Sequence, residues 1–220
     1  MYSQSEENYL KAIFLLAKGT NKIVNTNQLA KKLQTKASSI TDMVKKLSDK
    51  DLVDYQKYKG ASLTKGGEKI ALSILRKHRL WETFLVEKLN FSWDRVHEIA
   101  EQLEHIQSDE LVDNLDAFLD FPKTDPHGDP IPDKEGNILH RERQVLSTLP
   151  IGSKVVLVGL KNSSDDFLRY LDNRNLSLGD MMEIMDVEAY DQSLQIKKNE
   201  SIFILSESAA NNLLVKNQAQ

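Results

Sequence analysis

The segment TNQLAKKLQTKASSITDMVKKLSDK, residues 26–50, has apolar residues at the spacing of two short helices separated by a polar break. The second helix is predicted over residues 37–50, where Ile40, Val44 and Leu47 fall on one buried face. Two helices joined by so short a break predict a helix-turn-helix, whose second helix is the recognition element.

The flanking segments extend this unit in both directions. Upstream, apolar residues at helical spacing predict a helix over residues 5–16. Downstream, residues 52–55 and 61–64 predict two short strands around the basic turn 56–60. Three helices followed by a basic hairpin predict a winged helix-turn-helix, which we assign to residues 1–64 as a DNA-binding domain.

The charge distribution supports a polyanionic partner for this domain. The 220-residue chain has 29 Lys and Arg, 33 Asp and Glu, and a net charge of −4. Residues 1–76 hold 14 basic and 7 acidic side chains, a local charge of +7, which leaves −11 for the remainder. A basic N-terminal segment followed by an acidic remainder indicates that double-stranded DNA binds to the N-terminal segment.

The residue types on the recognition helix and the hairpin suggest which positions contact DNA. Small hydroxylated residues at the start of the helix can approach base edges in the major groove, and lysines behind them can contact phosphates. We predict base-proximal positions at Lys36, Ser38, Ser39, Thr41 and Asp42. We predict phosphate contacts at Thr26, Lys45, Lys46, Lys57 and Lys59.

The composition excludes several classes of protein. The chain contains no cysteine, so it has no disulfides, thiolate metal sites or cysteine nucleophiles. No segment approaches the about 20 apolar residues that span a bilayer, and no signal peptide is visible. These features predict a cytoplasmic protein without a membrane partner.

Histidines and carboxylates recur at helical spacing in the acidic middle of the chain. A helix predicted over residues 65–89 places His78 and Glu82 on one face. A following helix presents four more such residues on one stripe: His97, Glu101, Glu104 and His105. Each pair alone is common on a solvated helix face, whereas six of these residues on two adjacent helices predict a divalent-metal site.

The sequence favours a sensing or structural metal over a catalytic one. It has neither the His-Glu-x-x-His signature of zinc proteases nor a serine in a nucleophile elbow. We therefore predict that the protein is not an enzyme and has no small-molecule substrate. A metal-dependent hydrolase stays open as a remote alternative, although it would need a general base and an open coordination position and would leave the basic winged helix unexplained.

The rest of the chain completes a mainly α protein with a small β module. The proline-rich stretch FPKTDPHGDPIPD, residues 121–133, cannot lie inside a helix and marks a linker or crossover over residues 121–150. Residues 151–220 contain short runs of Val, Ile and Met separated by turns, with one short helix at about residues 165–171. This pattern predicts a small SH3-like barrel.

Three motifs carry a resemblance to a known family: RKHRLWE at residues 76–82, VHEIAEQLEHIQSDE at residues 96–110 and DPHGDPIP at residues 125–132. In this order, between a winged helix and a small barrel, they resemble the diphtheria toxin repressor and manganese transport regulator family, also called the iron-dependent repressors. The resemblance covers nearly the whole chain. It implies a homodimer with residues 65–120 as a helical dimerisation and metal-binding domain, and an SH3-like, FeoA-like domain after the linker. It also implies a repressor of metal-uptake genes that binds a palindromic operator when metal is bound.

The resemblance further implies two metal sites per subunit. The positions that match the primary, regulatory site are Asn8, Glu101, Glu104 and His105. The positions that match the ancillary site are His78, Glu82 and His97, with Asp166 of the C-terminal domain as a further candidate ligand.

Three positions depart from the pattern of this family. Glu101 stands where iron-responsive relatives commonly have cysteine, and Asn8 stands where methionine or aspartate is usual, so that Glu7 or water is expected to complete the shell. Lys11 replaces a carboxylate that relatives with a closely bridged two-metal cluster carry, which favours two separated sites. Oxygen and imidazole ligands favour Mn²⁺, and Fe²⁺ remains the alternative because the Irving–Williams order gives it the higher intrinsic affinity.

Overall fold

The computed structural model describes residues 2–17, 23–139 and 142–218. They form two units, each made of three segments of the chain. The first unit comprises Met1–Trp81, Ala100–Leu115 and Pro132–Ile138, and the second comprises Glu82–Ile99, Asp116–Ile131 and Leu139–Gln220. Among the described residues, no helix is both long and apolar enough to cross a membrane.

The first unit contains the predicted winged helix-turn-helix. Its elements are α1 (Gln4–Leu16), α2 (Thr26–Lys32), α3 (Ala37–Ser48), β1 (Val53–Gln56) and β2 (Gly60–Leu63). Strands β1 and β2 pair antiparallel, with Val53 opposite Leu63. The core is formed by fully buried aliphatic side chains from all three helices, which confirms the face expected from the periodicity: Leu10, Ile13, Leu29, Ile40, Val44 and Leu47.

Two of these helices begin with capping boxes. Ser3 accepts a hydrogen bond from the backbone of Glu6, whose side chain bonds back to the Ser3 N–H group. Asn25 and Gln28 form the same reciprocal pair at the start of α2. Each box satisfies backbone N–H groups that a helix start leaves without intrahelical partners, so local sequence determines where these helices begin.

Three further helices follow: α4 (Lys65–Leu89), α5 (Val96–Leu103) and α6 (Asp109–Phe118). Helix α4 has the bounds that the sequence predicts, whereas α6 was not anticipated. Helix α5 ends at Leu103, so Glu104 and His105 lie in the turn after it and not on one continuous helical stripe with His97. The chain tightens there because Ile106 bonds back to the carbonyl of Leu103, an i to i−3 bond that closes the last turn.

The second unit contains a six-stranded antiparallel sheet, which forms the SH3-like module. Its strands are β3 (Gln144–Val145), β4 (Lys154–Leu160), β5 (Met181–Val187), β6 (Leu194–Lys198), β7 (Ser201–Leu205) and β8 (Leu213–Asn217), in the order β3-β8-β4-β5-β6-β7. Helices α7 (Asp165–Asp172) and α8 (Glu207–Ala210) accompany the sheet. Buried residues such as Val155, Ile184 and Val215 form the hydrophobic core of this module. Strands β3 and β8 were not recognised from the sequence.

Residues 121–131 of the proline-rich stretch form a crossover in the second unit. Asp125 Oδ1 accepts hydrogen bonds from the backbone N–H groups of His127 and Asp129, at 2.8 and 2.9 Å. Gly128 has a φ of +85°, and a Cβ placed on it would lie 2.3 Å from the carbonyl oxygen of Val158 in β4. Only glycine satisfies both the positive φ and this close backbone approach.

We expect Gly128→Ala to lower the free energy of unfolding by at least about 2 kcal/mol, because the new Cβ adds a steric clash to the strain of a positive φ. Gly152 is a matched control, since it has the same φ of +85° and nothing within 4 Å of its Cβ position. Gly152→Ala should lose only about 1 kcal/mol from backbone strain. Equal losses in chemical denaturation would show that the approach to Val158 is unimportant.

Candidate metal centre and nucleic-acid interface

In the first unit, the C-terminal end of α5 lies against one face of α1. Lys11 Nζ lies 2.6 Å from Glu101 Oε1 and 2.7 Å from each carboxylate oxygen of Glu104. One turn earlier on α1, Glu7 Oε2 lies 2.6 Å from His105 Nδ1. The structure therefore brings Glu101, Glu104 and His105, three of the four predicted primary ligands, to the same face of α1.

This cluster is buried and charged. Glu104 is fully buried, and Glu7 and Lys11 are 4% and 6% exposed. His78 Nδ1 contacts Glu104 Oε2 at 2.6 Å, and Gln107 Nε2 donates to Glu7 Oε1 at 2.9 Å. A buried carboxylate requires such partners, because loss of hydration is compensated only by counter-charges and hydrogen bonds.

Asn8, the fourth predicted primary ligand, lies on α1 between Glu7 and Lys11. Its Oδ1 atom is buried and has no hydrogen-bond partner among the described residues. An unpaired buried amide oxygen is uncommon in folded proteins, and amide oxygens are suitable ligands for hard divalent cations. The carboxylate, imidazole and amide donors of this cluster therefore fit such a cation, which would compete with Lys11 for Glu101 and Glu104.

A second cluster of potential ligands lies within the second unit, around Glu82. Glu82 Oε1 is 3.3 Å from His97 Nδ1, so this predicted ancillary pair is in contact. Glu82, Asp125 and His127 are all buried and can place one ligand atom each within 4.8 Å of one another. His127 also stacks against Trp93, with ring centroids 6.1 Å apart, and its Nε2 donates to the Trp93 carbonyl at 2.9 Å.

The acidic neighbours of His127 favour its charged form. Burial has the largest single effect and lowers the pKa, but the Glu82 hydrogen bond, the charges of Asp125 and Glu82 and the Trp93 carbonyl together raise the pKa to about 9. The imidazolium therefore neutralises part of the acidic charge around it at neutral pH. Asp125 and His127 belong to the DPHGDPIP motif but are not among the ligands predicted from the sequence. The signal for them is the pair of acidic residues on either side of a histidine in DPHGD.

His78 and Asp166, both predicted ligands of the ancillary site, contact residues outside the predicted ancillary set. His78, which the family resemblance assigns to the ancillary site, hydrogen-bonds Glu104 of the predicted primary site. The Asp166 side chain is 96% exposed and pairs with Arg169 Nη2 at 2.7 Å. Among the described residues, Asp166 belongs to no group of three potential ligands within 4.8 Å. The assignment of both residues to an ancillary site stays a prediction.

The residues predicted to contact bases lie at the start and on the open face of α3. Lys36, Ser38, Ser39 and Asp42 are exposed, and the half-buried Thr41 donates its hydroxyl to the Ala37 carbonyl at 3.1 Å. Lys36 is the N-cap of α3, and the described residues provide no side-chain cap there. The N-terminal N–H groups of α3 thus remain suited to an anionic partner.

The residues predicted to contact phosphates are also accessible. Lys45, Lys57 and Lys59 are exposed, and Thr26 is half-buried as the first residue of α2. Between these two wing lysines, Tyr58 is 93% exposed in the β1–β2 turn, and Lys57 Nζ lies 5.1 Å from its ring centroid.

Lys46, the remaining predicted phosphate contact, is tied to α1. Its Nζ lies 3.2 Å from Glu6 Oε1, which also accepts a 2.6 Å hydrogen bond from Lys50. The Lys50 hydrogen bond is the main influence on the Glu6 carboxyl, and with the Ser3 N–H and Lys46 it lowers the pKa from 4.5 to about 2. Glu6 therefore joins α1 to the C-terminal end of the recognition helix.

Family models match three successive parts of the chain. Residues 1–61 match the N-terminal DNA binding domain of the iron dependent repressors, and residues 64–133 match their metal binding and dimerisation domain. Residues 144–217 match the FeoA domain. The order of these domains agrees with the fold described above.

Individual relatives agree with the models. An uncharacterised HTH-type transcriptional regulator of Methanocaldococcus jannaschii is 42% identical over 118 residues, 54% of this chain and 94% of that protein. The HTH-type transcriptional regulator MntR of Oceanobacillus iheyensis is 30% identical over 125 residues, 57% of this chain and 84% of that protein. A solved manganese-dependent transcriptional repressor in complex with manganese superposes with a TM-score of 0.85 at 31% identity, covering 97% of this chain and all of that one.

The chain belongs to the iron-dependent repressor family. Members of this family are metal-dependent, DNA-binding transcriptional repressors and not enzymes. The predicted winged helix and SH3-like module are confirmed, and the remote hydrolase alternative is wrong. The residue assignments within an iron-dependent repressor fold stay predictions.

In this iron-dependent repressor, Glu6→Gln should lower the free energy of unfolding at pH 7 by about 1–2 kcal/mol, a value reduced because Lys46 and Lys50 are partly exposed. A carboxyl with a lowered pKa stabilises the fold above its unfolded-state pKa, and this contribution disappears as the pH falls through the folded value. The difference between the two proteins should therefore shrink between pH 5 and about pH 2. Urea denaturation at several pH values measures it; a difference independent of pH would contradict the ion pairing.

Proposed function

We propose that this protein is a Mn²⁺-activated repressor of metal-uptake genes that acts in the cytoplasm. It binds a palindromic operator as a homodimer when metal is bound. The observation that carries the proposal is the convergence of Glu101, Glu104 and His105 on α1, because α1 also packs against α2 and α3 of the winged helix. Helix α1 therefore contacts both the proposed ligands and the recognition helix α3.

The residues of the primary cluster have distinct roles in this proposal. Glu101 and Glu104 provide anionic oxygens, and Asn8 provides the unpaired amide oxygen. Glu7 is a positioning residue: when His105 donates from Nδ1 to Glu7, its Nε2, 3.8 Å from Glu104 Oε1, keeps a lone pair for a metal. A bound divalent cation supplies the positive charge that holds these donors together.

Coupling between the cluster and DNA follows from linkage. If the donors bind metal more tightly in the arrangement that fits the operator, metal stabilises that arrangement by the difference in binding free energy. A coupling of about 1–3 kcal/mol changes operator affinity roughly 5- to 150-fold. Two recognition helices in a homodimer then contact the two halves of a palindrome.

The donor chemistry supports Mn²⁺, with Fe²⁺ as the second candidate. The proposed ligands are oxygen and imidazole groups, which suit Mn²⁺, and the chain has no cysteine. Fe²⁺ binds the same donors and is supported by the match to the iron-dependent repressor models. The Glu82 and His97 contact supports a separate ancillary site, to which the family resemblance adds His78 and Asp166.

Metal dependence can be tested by fluorescence anisotropy with labelled duplex DNA from the protein's own promoter, at fixed salt. We expect tight binding with Mn²⁺ but not with metal-free protein, and a weaker effect of Fe²⁺ at matched free concentration under anaerobic conditions. Tight binding by the metal-free protein would overturn metal activation, and a stronger effect of Fe²⁺ would establish iron as the effector.

His105→Ala should abolish the Mn²⁺-dependent gain in operator affinity, roughly 5- to 150-fold in the wild type, while the protein stays dimeric in light scattering. His78→Ala should weaken activation less. Unchanged activation in His105→Ala would refute the primary-site assignment. A loss in His78→Ala as large as that in His105→Ala would show that the roles of the two sites are reversed.

The double variant Lys57→Ala/Lys59→Ala should weaken binding to operator and unrelated DNA by similar factors, because phosphate contacts do not discriminate sequence. The slope of log affinity against log salt should fall by up to about 2. Lys197→Ala, an exposed lysine of β6, serves as the control and should leave the slope unchanged. An unaltered slope in the double variant would remove the wing from the phosphate interface.

A further inference from the structure

The contacts of Lys11 resemble those of a bound cation more than those of a surface ion pair. Its single ammonium nitrogen lies within 2.6–2.7 Å of three carboxylate oxygens on two residues, Glu101 and Glu104. Both residues belong to the proposed primary metal site. The ammonium thus uses the carboxylate oxygens that would be among the donors to a divalent ion if one bound to this cluster.

Because the site is buried, the Lys11 ammonium and a divalent cation cannot occupy it at the same time. Only 7% of the Lys11 side chain is exposed, and none of the Glu104 side chain is. Water therefore screens little of the repulsion that an ammonium and a divalent cation would exert on each other at the same carboxylates. Metal binding at Glu101 and Glu104 requires the ammonium to leave them.

We propose that Lys11 is an internal competitor of the metal, a tethered cation that sets the metal concentration at which the repressor responds. The proposal rests on the proposed metal activation and concerns the regulation of the same site. In the metal-free protein, the single positive charge of Lys11 offsets part of the negative charge of Glu101 and Glu104 and links α1 to the end of α5. Metal binding exchanges one cation for another, so the affinity for metal is lower than the donor set alone would provide.

Lys50 provides a matched control. It also forms a 2.6 Å ion pair with a buried glutamate of α1, Glu6, but its side chain is 40% exposed and its partner is not a proposed metal ligand. Loss of a lysine–glutamate pair on α1 is therefore common to Lys11→Met and Lys50→Met. Only Lys11→Met removes a positive charge from the proposed metal position.

The test is direct titration of the metal-free, full-length protein with Mn²⁺, with free Mn²⁺ followed by electron paramagnetic resonance. We expect Lys11→Met to bind Mn²⁺ with a dissociation constant at least tenfold lower than that of the wild type, and Lys50→Met to match the wild type. Lys11→Gln, which keeps a hydrogen-bond donor but not the charge, should show the same direction. Equal Mn²⁺ affinities in the wild type and both Lys11 variants would overturn the proposal.

Thermal denaturation provides a second readout. Without metal, Lys11→Met should melt at a lower temperature than the wild type because two carboxylates lose their counter-ion, and Mn²⁺ should raise its melting temperature by more than it raises that of the wild type. An equal Mn²⁺-induced rise in both proteins contradicts competition. If the Met variant does not fold without metal, the Gln variant decides the outcome.

Operator binding separates this proposal from the proposed function. If Lys11→Met gains Mn²⁺ affinity while operator binding by every variant is independent of metal, the competition is supported and metal activation fails. If operator binding depends on Mn²⁺ at the same concentration in Lys11→Met and the wild type, activation is supported and competition fails.

Discussion

The burial of Glu104 is the constraint on which the rest of the first unit depends. A carboxylate without solvent contact needs compensating partners, and Glu104 has two: the ammonium of Lys11 on α1 and the imidazole of His78 on α4, whose Nδ1 lies 2.6 Å from its Oε2. These two contacts join the turn after α5 to both helices. The same turn places His105 beside Glu7, so the fold that satisfies Glu104 also assembles the candidate metal donors.

Helix α1 contacts the two candidate functional regions of the first unit through three charged side chains between residues 6 and 11. Glu6 pairs with Lys46 of the recognition helix, whereas Glu7 and Lys11 contact the end of α5. Both sets of contacts involve buried groups, which are less screened than surface ion pairs. A change in charge at the candidate metal donors would therefore act on the same helix that packs against α3, which is the physical basis of the proposed coupling between metal and DNA.

In the second unit, the DPHGDPIP motif has a structural explanation that is independent of metal. Asp125 organises the turn through backbone hydrogen bonds, Gly128 permits contact with β4, and His127 is held between Glu82 and the Trp93 carbonyl. The motif thus joins the crossover to the Glu82 cluster. Its charged groups stabilise one another, since His127 is cationic beside two carboxylates.

Local sequence by itself determined the winged helix, the bounds of α4 and the residue types of the candidate metal cluster, because capping, periodicity and charge act over a few residues. Only the tertiary structure decided which of those residues meet. Lys11 contacts Glu101 and Glu104 across 90 and 93 positions, and Glu7 contacts His105 across 98. No local pattern encodes such pairs, since they depend on where α5 ends and how the helices pack. In the sequence, Lys11 only marks the loss of a carboxylate that some relatives have at this position. In the structure, its ammonium forms ion pairs with Glu101 and Glu104, two of the candidate ligands.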